Sequence, residues 1–250
     1  MYPVAARGRS TKSTGSLLTS LVAYWPLDEA SGARADAHTN ALHLTDENSV
    51  ASGTGLAYAT AADFDMATDQ WLWRARANSA AVNFAGSFSI VAWTFPTAFA
   101  GGPDSPNYYR MIVSYNYGSA FTGGYKIQTT ASGQIYVVLG ANGNQGWNWH
   151  VTAPYCALNE WQMVAWTFDF DTGAVACGLN GNLATTSTAN PEYFKPASGG
   201  DFAIGAWKEG AAHVFDGMIG PVAMWNRVLT SSEVAWLYNS GAGRTYEALA

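Results

Sequence analysis

The stretches LVAYWPLDEASG, residues 21–32, and FDGMIGPVAMWNRVLT, residues 215–230, decide the fold of this chain. Each joins an apolar, aromatic-rich run typical of a β-strand to the Gly and Pro residues typical of turns. The second stretch continues into SSEVAWLYNSG, residues 231–241. Thr230 and Glu233 form a capping-box pattern, in which each side chain pairs with a free backbone N–H at a helix start. We therefore predict strands near both ends of the domain and a short helix after the last strand.

The composition favours an all-β protein. Of the 250 residues, 48% are hydrophobic, 14% aromatic and only 12% charged, and 26 are Gly. Few charges together with many aromatic and Gly residues are typical of sandwiches with Gly-based turns. The net charge of −6 argues against a nucleic-acid partner.

The middle of the chain shows closely spaced strand and turn signals. FSIVAWTF (88–95) and WQMVAWTF (161–168) share the pentapeptide VAWTF and are apolar on both faces, as expected for central strands. Turns are predicted at Ala131–Gly133 and Asn180–Gly181. Further strands are predicted at residues 111–115, 125–129, 134–139, 175–179, 183–186, 201–207 and 218–225. This pattern predicts antiparallel sheets packed as a sandwich or a jelly roll, and we expect two such sheets.

Residues 1–19 are rich in Ser, Thr, Gly and Ala, carry Arg7, Arg9 and Lys12, and contain no acid. We interpret them as a flexible basic arm before a domain spanning 20–250. The arm is either simply disordered or a segment that orders on a partner. The sequence has neither the ~20 apolar residues of a membrane span nor the apolar core of an export signal, so we expect no membrane insertion.

Two cysteines, Cys156 and Cys177, provide no disulfide framework. The alternatives are one disulfide between them or two free thiols packed as small apolar side chains.

Several motifs, in order, resemble the laminin-G-like domains of the concanavalin A-like lectin/glucanase superfamily. They are Tyr24–Gly32 with Asp36 and Leu44–Val50, then Ala62–Phe64, Phe88–Phe95, Trp161–Phe168, Asn180–Asn182 and Phe215–Gly241. The resemblance covers residues 21–241. It implies a jelly-roll β-sandwich that acts in surface recognition.

The resemblance also bears on calcium. The family commonly has an acid in its last strand that helps to hold a structural calcium ion, but here the matching stretch is Gly217–Val222, with Gly220 and Pro221 at that place. Carboxylate ligands for a hard cation remain at Asp28, Asp36, Asp46 and Asp216. The alternatives are a bound Ca²⁺ and ordinary loop carboxylates.

Catalysis is not expected. The E-x-D-x-x-E run of the related hydrolases is missing, and the nearest carboxylate pair, Asp169 and Asp171, precedes Thr172-Gly173. This spacing favours a turn in which an Asp side chain bonds the backbone over a glycosidase pair, which must flank a sugar.

Binding is the better interpretation. Aromatic walls with a few placed polar groups are typical of concave ligand sites, and residues 143–150, GNQGWNWH, form such a run in a predicted loop. The candidate carbohydrate-binding residues are Trp147, Asn148, Trp149, His150, Tyr155, Tyr108 and Tyr109. Burial in the core or in a protein interface is the alternative role for these rings.

Three functional hypotheses follow. The first is a virion structural protein, such as a capsid decoration, head-fibre or tail-associated subunit, which docks on virion proteins through its arm and exposes a glycan- or protein-binding jelly roll. Such a subunit would lie on the virion surface and form a symmetric homo-oligomer. The second is a secreted, extracellular carbohydrate-binding module. The third is a polysaccharide-active hydrolase or lyase.

Overall fold

The fold is seen in a computed structural model. It describes residues 16–101, 109–115, 123–140, 148–207 and 213–250, and within these ranges it leaves out the side chains of 148–154, 184–187 and 193. The strands and the α-helix are β1 (Leu21–Trp25), β2 (Thr45–Glu47), β3 (Ala51–Thr54), β4 (Thr60–Phe64), β5 (Trp71–Arg74), β6 (Phe88–Pro96), β7 (Arg110–Tyr115), β8 (Tyr125–Thr129), β9 (Gln134–Leu139), β10 (Asn148–Tyr155), β11 (Gln162–Phe168), β12 (Ala174–Leu179), β13 (Ala184–Thr188), β14 (Phe202–Ile204), β15 (Gly217–Trp225) and α1 (Ser231–Tyr238).

The first sheet has eight strands, in the order β13-β12-β11-β6-β15-β4-β3, with β1 also paired to β15. The first part of β15, Gly217–Ile219, pairs with β4 and its last part, Val222–Trp225, with β1. Between them, at Gly220 and Pro221, the register of β15 against β6 shifts. Pro cannot donate to a β-ladder and is tolerated at such irregularities. The Gly-Pro pair therefore marks the point where β15 changes partner.

The two VAWTF segments lie side by side in this sheet, as parts of β6 and β11. The antiparallel register places Trp93 opposite Met163 and Trp166 opposite Ile90. Because side chains alternate between faces, this register sends Trp166 into the core between the sheets and Trp93 to the outer face. Both segments are central strands, as the sequence predicts, but their Trp residues point in opposite directions.

The second sheet has seven strands, in the order β10-β9-β8-β7-β14-β5-β2. The predicted turn between β8 and β9 is present, with Gly133 at φ 83°. In the first sheet, Asn180 and Gly181 turn the chain from β12 to β13 with φ of 55° and 79°. Positive φ at both positions is what a tight two-residue hairpin needs, and Asn-Gly supplies it at little cost.

The core fills the space between the sheets with aromatic and aliphatic side chains from both. The ring centroid of Phe88 in the first sheet lies 5.2 Å from that of Tyr125 in the second sheet. It lies 5.0 Å from the ring centroid of Trp166, which it meets edge to face. Trp25 stacks on Phe202 at 5.2 Å. These residues are fully buried. The predicted all-β sandwich of two antiparallel sheets with a short C-terminal helix is thus confirmed.

The outer face of the eight-stranded sheet is covered by the C-terminal segment, and we call it the sealed face. Its apolar residues are Val91, Trp93, Met163, Ala165, Ala223 and Trp225, packed against Val234, Trp236, Leu237 and Leu249. The predicted capping box starts α1: the Glu233 N–H donates to the Thr230 hydroxyl at 3.2 Å, and the Thr230 N–H donates to the Glu233 carboxylate at 2.8 Å.

Ser16, Leu17 and Leu18, which belong to the predicted flexible arm, pack on the sealed face. Leu17 is buried, its N–H donates to the Leu249 carbonyl at 3.2 Å, and its own carbonyl accepts the Trp225 indole N–H at 2.7 Å. The two apolar residues Leu17 and Leu18 explain this packing, since each buries hydrocarbon surface there. The last part of the predicted arm thus contacts the domain, and residues 1–15 lie outside the described part of the chain.

Cys156 and Cys177 are not joined by a disulfide, and both are buried in the core between the sheets. Burial, with the neighbouring Cys177 adding to it, raises the pKa of the Cys156 thiol to about 12. A thiol with so high a pKa is unreactive at neutral pH. Of the two alternatives left open by the sequence, the structure has two packed thiols.

Candidate functional site

The predicted sugar-binding residues around residue 148 do not form one group in the described structure. Trp147 lies outside the described residues, whereas Asn148–His150 begin the edge strand β10 and pair with β9. The loop expected here is therefore a strand over these three residues, because their backbone extends the ladder of the seven-stranded sheet. Tyr155, at the other end of β10, is 56% exposed.

Of the second predicted pair of aromatic residues, Tyr108 and Tyr109, the structure describes one. Tyr108 lies outside the described residues. Tyr109 is half-buried and stacks on Tyr136 of β9, with ring centroids 5.3 Å apart. Because Tyr155 pairs with Gln134, two residues before Tyr136 on β9, the structure places Tyr109 and Tyr155 at the same end of the seven-stranded sheet.

The four candidate calcium ligands sit in separate surroundings. Asp28 is exposed. Asp36 is buried and accepts the backbone N–H groups of Tyr24, His38 and Leu42, each at 2.9 Å.

The other two carboxylates are also engaged. Asp46 accepts the N–H groups of Gly32 and Val50, at 3.1 and 2.9 Å, and Asp216 accepts the Thr97 hydroxyl at 2.8 Å. Within the described ranges, no three acidic, His or Cys side chains are grouped so that they could hold a metal ion. These contacts brace loops against strands.

Asp169 and Asp171 form the predicted turn. The Asp169 carboxylate accepts the Thr172 hydroxyl at 2.8 Å and the Asp171 N–H at 3.0 Å. The hydrogen bond from Thr172 is the main cause that lowers the pKa of Asp169. Asp169 therefore organises the connection between β11 and β12.

The outer face of the seven-stranded sheet carries a cluster of aromatic and polar side chains, which we call the aromatic face. Its members are Trp71 and Trp73 on β5, Lys126 on β8, Tyr136 on β9, and Tyr109, Trp207 and His213 beside the strands. All except Trp71 and Lys126 are partly exposed. Partly exposed rings beside polar groups are the make-up of a ligand-binding surface.

The rings form a continuous series. Tyr136 stacks on Tyr109, Tyr109 meets His213 edge to face at 6.3 Å, and His213 lies parallel to Trp207 at 5.8 Å with 4° between the ring planes. Offset-stacked and edge-to-face pairs within 7 Å attract each other. The series thus holds its rings in fixed positions.

Trp207 is placed by the chain segment that follows β14. The Ser114 hydroxyl of β7 donates to the Ala206 carbonyl at 2.8 Å, which holds this segment across the sheet. The Trp207 ring then lies over Lys126, with 4.0 Å from the ammonium nitrogen to the ring centroid.

Lys126 is the buried cation of the aromatic face, with only 7% of its surface exposed. Burial disfavours its charged form and lowers its pKa to about 8. The contact with Trp207 acts in the opposite direction, because a ring face attracts a cation. Near neutral pH the site therefore holds a positive charge beneath an indole ring.

The β5 end of the aromatic face presents two further indoles. The Trp73 N–H donates to the Glu47 carboxylate at 3.0 Å. The indole N–H groups of Trp71 and Trp207 are buried and have no acceptor in the described part of the chain. Buried polar groups are nearly always hydrogen-bonded, so these two donors are exceptions on this face.

Sequence reasoning missed most of this face. A usable signal was the alternation in YKIQT, residues 125–129, which puts Lys126 and Gln128 on one side of a strand and Ile127 on the other. Trp207 and His213 had no such signal, since their stacking depends on how the chain folds back over the sheet.

Comparison with known families agrees with this architecture. Residues 74–235, more than half of the chain, match the family described as the concanavalin A-like lectin/glucanases superfamily. The chain belongs to this superfamily. The resemblance seen in the sequence motifs is thereby confirmed.

Solved structures of this concanavalin A-like fold include several binding domains. The binding domain of Paraclostridial Mosquitocidal Protein 1 is 15% identical, with a TM-score of 0.67 over 90% of this chain and 53% of that one. Domain 4 of AbnA, a GH43 extracellular arabinanase from Geobacillus stearothermophilus, solved with arabinotriose, is 18% identical, with a TM-score of 0.62 over 86% and 97%. The CBM40 of the Ruminococcus gnavus IT-sialidase is 18% identical, with a TM-score of 0.52 over 68% and 93%.

These similarities show the fold. The chain spans about half the length of the toxin binding domain it matches. Comparison with curated protein sequences gives no match. Within the described residues, no helix has the length and apolar character needed to cross a membrane.

Proposed function

We propose that this protein is a non-catalytic recognition module that binds a glycan through the aromatic face. The observation that carries the proposal is the combination, on one sheet surface, of partly exposed rings, a buried cation and two indole N–H groups that have no acceptor within the described ranges. Sugars match such a surface, because their C–H faces pack on flat rings while their hydroxyls supply hydrogen-bond acceptors.

The comparisons support this proposal at the level of neighbours. Among proteins of similar fold are the AbnA domain solved with arabinotriose, the CBM40 bound to α2,3-sialyllactose, and a botulinum neurotoxin binding domain in complex with SialylT. The same fold binds protein as well, since the same toxin domain is known with rat synaptotagmin II. The ring chemistry of the aromatic face favours the glycan.

A glycan array tests the proposal. The purified chain should bind at least one class of glycan, and Trp207→Ala should abolish or strongly weaken that binding. Trp161→Ala is the matched control, because Trp161 is a half-buried indole that packs against Phe95 and Gly220 of the eight-stranded sheet. An array without any bound glycan, or equal binding by Trp207→Ala and the parent chain, would refute the proposal.

The non-catalytic part has its own test. Incubation of the chain with the polysaccharides that carry its array ligands should release neither reducing sugar nor unsaturated ends. Release that continues after repurification would identify an enzyme instead.

We further propose that the module is displayed on a virion surface and docks on virion proteins through residues 1–15. The observation behind this proposal is the basic composition of this segment, which includes Arg7, Arg9 and Lys12. It joins the domain at Ser16, whose hydroxyl donates to the Leu249 carbonyl on the sealed face. A partner held there would lie across the sandwich from the aromatic face.

Truncation distinguishes this role from that of a free extracellular module. The chain with residues 1–15 should co-sediment with particles. Mass photometry should show either a homo-oligomer or attachment to particles, and removal of residues 1–15 should abolish it. Secretion into the medium with no dependence on these residues would instead indicate the extracellular module.

A further inference from the structure

The aromatic face extends across several neighbouring strands. Its rings run from Tyr136 on β9 to Trp71 and Trp73 on β5, and the sheet order between them is β9-β8-β7-β14-β5. Neighbouring strands lie about 4.8 Å apart, so these four steps span about 19 Å. This length exceeds that of a single sugar ring and matches a short chain of sugars.

The space between the two ends is filled by contacting members of the same face. Tyr136, Tyr109, His213 and Trp207 follow one another in ring contact. Ala206, next to Trp207, belongs to the same apolar cluster as Trp71 and Trp73. The face is therefore one continuous strip that crosses the strands.

Polar groups occur along the strip rather than at one point. Lys126 and Gln128 lie two residues apart on β8, Gln128 opposite Tyr136 of β9, and Lys126 opposite Ser114 of β7. At the far end, Glu47 of β2 lies beside Trp73. A site for one terminal sugar would gather its polar groups around a single point.

We propose that the aromatic face binds a linear oligosaccharide that runs across the strands, with sugars stacked at both the Tyr136 end and the Trp73 end. The inference rests on the proposed glycan-binding function and specifies its ligand as an internal stretch of a polysaccharide chain. Affinity then increases with chain length until the strip is filled, because each added ring contact of ordinary strength multiplies affinity by about three- to tenfold.

Calorimetric titration with size ladders tests this inference. The probes are di-, tri-, tetra- and hexasaccharides of the arabino-, xylo-, cello- and manno-series, with α2,3-sialyllactose as a ligand that offers a terminal sugar. The expected result is a series in which affinity rises at least tenfold from disaccharide to tetrasaccharide and then levels off. Equal affinity for all lengths, or preference for sialyllactose over every ladder, overturns the oligosaccharide inference while leaving glycan binding intact.

Failure of every ladder and of a general glycan array removes the proposed function itself, so the two failures are distinguishable. Array binding only to branched or terminal structures overturns the inference alone.

Variants at the two ends provide a second measurement. Tyr136→Ala and Trp73→Ala should each lower affinity for the hexasaccharide by about three- to tenfold, and both should leave disaccharide binding nearly unchanged. Tyr136→Phe keeps the ring and should restore hexasaccharide affinity, which a merely misfolded surface would not do. Trp161→Ala should match the parent chain. If the end variants weaken short and long ligands equally, the rings do not form an extended strip.

Discussion

The two outer faces of the sandwich are built on opposite principles. The sealed face packs apolar strand residues such as Trp93 and Trp225 beneath an apolar helix. The aromatic face buries the polar side chains of Ser114, Lys126 and Gln128, and the indole N–H groups of Trp71 and Trp207 find no acceptor among the described residues. Burial of a polar group without a hydrogen-bond partner costs free energy, so the first face stabilises the fold, whereas these indole donors of the second oppose folding. Sites that oppose stability are where function is expected.

The largest effect is expected on the sealed face. Trp225→Ala removes a fully buried indole and its bond to the Leu17 carbonyl, and should lower the free energy of unfolding by about 3–5 kcal/mol. Urea denaturation measures it. The comparison variant is Trp73→Ala on the aromatic face, where the indole is half-buried and a clearly smaller loss is expected. Equal losses would show that the two faces contribute alike to stability.

The next largest effect is expected for substitution of Lys126, which should stabilise the fold rather than destabilise it. Its pKa is about 8 in the folded protein, against 10.5 for an ordinary lysine. Between these pH values the unfolded chain binds more protons, so this residue makes the unfolding free energy rise with pH, by about 3 kcal/mol in total. Below pH 8 its burial is a constant penalty.

Lys126→Met should therefore stabilise the fold near pH 7 and remove this rise. The measurement is the difference in unfolding free energy between the variant and the parent chain, taken from pH 7 to 9.5. The contributions of other titrating groups are the same in both proteins and cancel in this difference. The stabilisation should shrink as the pH increases. A difference that does not change with pH would mean that Lys126 titrates normally.

The smallest effect tests how the sealed face is closed. Thr230→Ala removes the side chain that accepts the Glu233 N–H at the start of α1, and should cost about 1 kcal/mol. Ser231→Ala, at the exposed first residue of α1, is the control and should change stability by less than about 0.5 kcal/mol. If both variants change the free energy of unfolding equally, the capping box does not hold α1 on the sealed face.

The sealed face was the more predictable of the two. Its strands and capping box involve local patterns, in which residues a few positions apart determine the structure. Local patterns do not predict the packing of Leu17, because its N–H donates to the carbonyl of Leu249, far away in the sequence.

The aromatic face depends on such distant contacts throughout. Trp207 reaches Lys126 only because Ser114 holds the chain after β14 across β7. Strand periodicity gives the side on which Lys126 lies, but not what covers it. The residues proposed to bind a ligand are therefore largely ones that the sequence motifs did not indicate.

The contact between Leu17 and Leu249 has a consequence for the order of the chain. Since the Leu17 N–H donates to the Leu249 carbonyl, a short linker could join residue 250 to residue 16 without disturbing a strand. New ends could open at Ala131 and Ser132, which are exposed in the turn between β8 and β9. Such a circular permutant should fold to the same sandwich. The jelly roll then depends on which strands are neighbours in space, and not on which strand is made first.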